Sequence, residues 1–157
     1  MLEDSDPRIS KVDGSGVPYH VRLKRVREST GRSDRDIAAL LGVSLQEYYE
    51  WETFEGELTV AMSLAEVSKL SSALGICSRL IFDDGEPEAS TLSAAQLSAK
   101  IKTYIYASGL SITEFENRVG FEIAPALRDS SEILKWNVDC LRFVCKEIGV
   151  DLRIALP

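Results

Sequence analysis

The chain has 157 residues, 45% of them hydrophobic, enough for one ordinary domain or two small helical ones with a buried core. No run approaches the roughly 20 apolar residues of a membrane span, and the polar start MLEDSDPRIS lacks the apolar centre of a secretion signal; a cytoplasmic protein with no membrane contact is expected. Three cysteines without CxxC spacing (Cys77, Cys140, Cys145) support neither a disulfide framework nor a zinc knuckle, and read as small core residues. The single histidine, His20, reads as exposed and rules out a metal site built on two imidazoles. No catalytic constellation stands out, so neither an enzyme activity nor a metal or cofactor is expected.

The net charge of −7 repels nucleic acid as a whole-molecule field, but it is unevenly spread. Residues 20–43 carry six basic side chains (Arg22, Lys24, Arg25, Arg27, Arg32, Arg35) against three acidic ones. Residues 44–66 carry six glutamates and no basic side chain.

Taken in chain order, residues 1–18 are rich in Gly, Pro, Ser and Asp and read as a flexible arm. Apolar residues at three-and-four spacing then predict helices over 19–29, 33–41, 44–54, 60–74 and 78–82. Ser33 with Asp36 and Ser44 with Glu47 have the hydroxyl-to-acid spacing that closes the free N–H groups of a helix start. Gly42 suits the left-handed residue that ends one helix, and Val43 the corner before the next. The stretch DDGEPEAS, 83–90, combines turn formers and acids and reads as a linker.

Residues 91–157 form a second helical domain that repeats the first. Laid over each other from Leu23 and Ile101, Gly31, Ser33, Leu41 and Gly42 fall on Gly109, Ser111, Val119 and Gly120. After a four-residue deletion, Leu74 and Gly75 fall on Ile148 and Gly149. Ile101, Ile105, Phe115, Leu141, Val144 and Ile148 make the predicted second core, which leaves Trp136, Tyr104 and Tyr106 as candidates for a self-association or partner face. The fold class is therefore all-α.

The run LKRVRESTGRSDRDIAALLGVSLQEYYEWETFEGEL, followed by LAEVSKLSSALGICSRLIF, resembles the Cro and lambda-repressor-like (XRE-type) helix-turn-helix family over residues 19–82. The points of likeness are small Ala38 at a helix crossing, Gly42 at the turn, Val43 at the corner, and Tyr48 and Trp51 facing inward. The resemblance implies two tandem lambda-repressor-like five-helix domains, the second degenerate: there Glu116 replaces the small crossing residue, a change expected to push the helices apart, while Glu122, Pro125, Ala126 and Asp129 stand where the first has Ser44, Glu47, Tyr48 and Trp51.

It further implies that the helix starting at Ser44 enters the major groove of duplex DNA. Ser44, Leu45, Gln46 and Tyr49 then face base edges, with Gln46 suited to adenine, while Arg25, Arg32 and Arg35 meet phosphates. Among the glutamates, Glu47 reads as a capping residue and Glu52 as the partner of Trp51 in the family's Trp-Glu pair. The implied function is repressor-like transcription regulation, with residues 91–157 making a homodimer or contacting a protein partner. The glutamates motivate an alternative: an acidic protein-interaction module, antitoxin-like or anti-regulator, that kept the fold but not DNA binding.

Overall fold

A computed structural model describes residues 17–82 and 91–157; most of the expected arm and all of the expected linker lie outside the described residues. The described chain is helical, with no named strand. In order it forms α1 (Tyr19–Ser29), α2 (Asp34–Leu41), α3 (Leu45–Thr53), α4 (Glu57–Ala61), α5 (Leu64–Leu74), α6 (Arg79–Phe82), α7 (Ala94–Ser108), α8 (Ile112–Val119), α9 (Ala124–Arg128), a 3-10 helix (Ser130–Lys135), α10 (Val138–Ile148) and α11 (Leu152–Ala155). No helix among the described residues is long and apolar enough to cross a membrane.

The chain divides into two compact units, one holding residues 17–61 and 68–82 of the described chain and the other residues 62–67 and 91–157.

In the first unit α1 packs on α3 and α6, and α2 packs on α3. Leu23, Ile37, Tyr48, Trp51, Leu70 and Phe82 are fully buried. Tyr48 meets Trp51 edge to face at 5.9 Å and Tyr19 meets Phe82 likewise at 5.5 Å, a geometry that aligns ring edges with ring faces.

The predicted helix over 60–74 is two helices, α4 and α5, so the first half holds six helices rather than five. A second capping pair explains the break. Ser63 Oγ accepts from the Glu66 N–H at 3.2 Å, and Glu66 Oε1 accepts from the Ser63 N–H at 3.1 Å, so a new helix starts here. The pattern Ser-x-x-Glu is present in the sequence but lies hidden inside a run with continuous helical periodicity.

One polar contact ties the first unit together. The Arg27 guanidinium on α1 grips the Glu52 carboxylate on α3 through two bonds, Nε to Oε1 at 2.5 Å and Nη2 to Oε2 at 3.0 Å, and both side chains are largely buried. Its remaining Nη1 donates to the Arg32 carbonyl at 2.9 Å, which also fastens the α1–α2 connection. The fork geometry of a guanidinium allows all three bonds at once, which a lysine could not do. Arg27 is therefore a structural clamp.

In the second unit Leu97, Ile101, Ile105, Phe115, Leu141 and Val144 are buried as expected, and Ile148 is half-buried. Trp136, a candidate for an outer face, is instead a core residue packed edge to face on Phe121 at 5.2 Å. Tyr104 also turns inward: its ring meets Phe115, and its hydroxyl donates to Glu147 at 3.0 Å. Tyr106 alone of the three stands in solvent, 90% exposed. Hydrogen bonds from Arg118 and Tyr104 hold the Glu147 carboxyl below its ordinary range.

The cysteines do not share one environment. Cys145 is buried and its thiol is pushed up to about 12, Cys140 is half-buried and also raised by burial, and Cys77 is exposed rather than in the core. His20 is half-buried, not exposed.

This packing can be probed at the clamp and at the thiols. Glu52→Gln should cost about 3 kcal/mol in urea unfolding because it strands a largely buried guanidinium, whereas Arg27→Met with Glu52→Leu should recover most of that loss. Since the thiolate is the reactive form, iodoacetamide at neutral pH should modify Cys77 quickly, Cys140 slowly and Cys145 only after unfolding, read by peptide mass spectrometry.

Candidate nucleic-acid interface

The first unit presents α2 and α3 as a pair joined by a tight turn. Ser33 caps α2 through a full reciprocal box: its Oγ accepts from the Asp36 N–H at 3.1 Å and Asp36 Oδ2 accepts from the Ser33 N–H at 3.4 Å. Gly42 closes α2 at φ 71°, a left-handed conformation that costs a side-chain-bearing residue about 1 kcal/mol or more. Ser44 then caps α3 by accepting from the Glu47 N–H at 3.0 Å. Here the box is only half made. The Glu47 side chain does not return the bond and stays exposed, so its expected capping role is limited to its backbone.

Tyr48 and Trp51 point into the core, and Glu52 is held by Arg27. Burial, followed by the charge of Glu52, pushes the Tyr48 phenol well above its ordinary range, so it stays a neutral core ring. With roughly 100° of rotation per residue, these inward positions leave Gln46, Tyr49, Glu50 and Thr53 on the outer side of α3. Ser44, Leu45, Gln46 and Tyr49 are all exposed, Tyr49 by 51%. Arg25 on α1, Arg32 in the α1–α2 connection and Arg35 in the first turn of α2 are exposed too.

The rest of the basic run is different. Arg22 is only 7% exposed and Arg27 is engaged by Glu52, so the solvent-facing cations of this stretch are Lys24, Arg25, Arg32 and Arg35. The acidic stretch is thinned as well. Glu52 and Glu66 are tied into the fold by Arg27 and Ser63, and Glu50 accepts a hydrogen bond from the Gln46 amide at 3.1 Å. Glu47, Glu55 and Glu57 remain on the surface.

The second unit repeats the frame and alters the helix in question. Ser111 and Glu114 box the start of α8, Gly120 closes it at φ 88°, and α8 has the same eight residues' length as α2. Its successor α9 has five residues against nine in α3, with Pro125 in the first turn and no side-chain bond from its N-cap residue Ile123. Glu116 takes over that role. Its Oε2 accepts from the Ile123 N–H at 2.6 Å and the Ala124 N–H at 3.3 Å, so this carboxylate secures the start of α9. Among the described residues, no cluster of three or more His, Cys, Asp or Glu side chains could hold a metal ion.

No protein-family model, curated protein or solved structure matches this chain.

Because Glu116 replaces a missing N-cap side chain, Glu116→Ala should lower stability by about 1 kcal/mol, while Glu116→Gln, which keeps an acceptor oxygen, should retain most of it. Thermal unfolding of the full chain by circular dichroism checks both.

Proposed function

We propose that the protein is a DNA-binding transcription regulator of the Cro and lambda-repressor-like type, reading duplex DNA through α3. The observation that carries this reading is the two-sidedness of α3. Its inner side is locked by Tyr48, Trp51 and the Arg27–Glu52 pair, and its first two turns offer Ser44, Leu45, Gln46 and Tyr49 to solvent. A short helix held that way can enter a major groove with its early residues at base edges, while exposed Arg25, Arg32 and Arg35 on neighbouring elements meet phosphates and set register. The reading makes the chain two tandem lambda-repressor-like domains, 19–82 and 91–157, acting in the cytoplasm. The second has too short a counterpart of α3 to read a groove and serves self-association. A homodimer would place two copies of α3 on half-sites about 34 Å apart.

The exposed apolar side chains Phe54 and Val60, which lie beside Glu55 and Glu57 in sequence, favour a second reading in which this acidic surface captures a basic protein partner. Charge reversal separates the two. Glu55→Lys with Glu57→Lys should tighten retention on DNA under the first reading and abolish partner capture under the second.

The direct test is a fluorescence titration of the full chain against a pool of random duplexes over a range of salt concentrations. Arg32→Ala and Arg35→Ala should each weaken binding to all sequences alike and reduce the salt slope by about one. Absence of binding to every duplex at low salt overturns the proposal.

A further inference from the structure

We propose that Glu50 is a specificity-determining residue that selects cytosine, working with Gln46 as a paired reader on the outer side of α3; the inference rests on the DNA-binding reading above. Glu50 lies one helical turn after Gln46, about 6 Å along the axis, so the two side chains stand over neighbouring base steps of a duplex lying along α3. The Gln46 Nε2 donates to Glu50 Oε1 at 3.1 Å. No cation sits on Glu50 among the described residues, and residues 44–66 contain none in sequence.

That hydrogen bond defines what each side chain has left to offer. The Gln46 amide retains one N–H and its carbonyl oxygen, the donor and acceptor that match adenine N7 and N6–H₂. Glu50 retains acceptor positions only. In the major groove cytosine presents a bare donor, N4–H₂, whereas guanine presents two acceptors and thymine an acceptor beside a methyl group. A carboxylate fixed at this place therefore accepts from cytosine and repels guanine and thymine. A lone glutamate on a groove-facing helix would swing away from the phosphates; the Gln46 bond biases this one toward the outer side of α3, so in a groove its charge would act on sequence choice as well as on affinity.

The test uses the full-length protein and a pool of duplexes randomised over one half-site, with binding preferences read by sequencing the retained fraction and confirmed by anisotropy on defined duplexes. The native protein should enrich an A·T pair with a C·G pair one or two steps away, and changing that cytosine to guanine should weaken binding by about ten-fold or more. Glu50→Gln keeps length and an acceptor for Gln46 but removes the charge; it should shift the preferred base at that position from cytosine toward adenine and raise affinity for unrelated duplexes. Gln46→Ala should loosen both positions, because it frees Glu50. If Glu50→Gln strengthens every duplex alike and leaves base preferences unchanged, Glu50 is a repulsive bystander and this inference falls while DNA binding stands. If no duplex binds the native protein, both fall together. A matching circular dichroism spectrum and melting temperature for Glu50→Gln ensure that any change is read from a folded protein.

Discussion

The first unit depends on one partly buried three-way contact. Arg27 joins α1 to α3 through Glu52 and to the α1–α2 connection through the Arg32 carbonyl. Two charges drawn partly out of water are costly unless they bond each other well, and the guanidinium fork does so by giving one N–H from each of its three nitrogens to a protein oxygen. The consequence reaches the surface. The clamp sets the roll of α3, and hence which of its residues face out, and it holds the backbone that carries Arg32. Tyr48 and Trp51 supply the apolar part of the same anchorage.

The two halves show how one pattern of capped helices is altered by a few side chains. Both have a serine-capped eight-residue helix ended by a left-handed glycine, α2 and α8. Where Ala38 in the first half is small and Ser44 caps α3, the second half has Glu116 reaching forward seven and eight residues to cap α9. Moving the cap from the helix's own threshold to a neighbouring helix preserves the start of α9 without its N-cap hydroxyl. The helix so capped is a five-residue stub that leads into a 3-10 helix, whose Ile133 is buried. Trp136 and Tyr104 pack into this second core.

Charge in this protein cannot be judged from totals. Of the six glutamates between residues 44 and 66, Glu52 neutralises a clamp, Glu66 starts a helix and Glu50 is bonded to an amide. Of the six basic residues between 20 and 43, Arg22 is buried and Arg27 is engaged. Burial and pairing take Arg22, Arg27 and Glu52 out of the field at α3; Lys24, Arg25, Arg32 and Arg35 among the cations and Glu28, Asp36, Glu47, Glu55 and Glu57 among the anions are exposed, and Glu50 keeps its charge beside the neutral Gln46 amide.

Local features were legible in the sequence because they are determined by neighbours along the chain. The helical class, the starts at Ser33, Ser44 and Ser111, the turn glycines Gly42 and Gly120, and the inward Tyr48 and Trp51 all follow from spacing and backbone chemistry. The break before α5 was equally local and was obscured only because apolar periodicity runs through it. The roles of long polar side chains were decided by the tertiary structure alone. Arg27 finds Glu52 twenty-five residues away and Glu116 bends forward to Ile123, and nothing in the residues beside them dictates either partner. A flexible charged side chain can reach water, a neighbour or a distant backbone group at similar cost, and only the packing of whole helices determines which of these lies within reach.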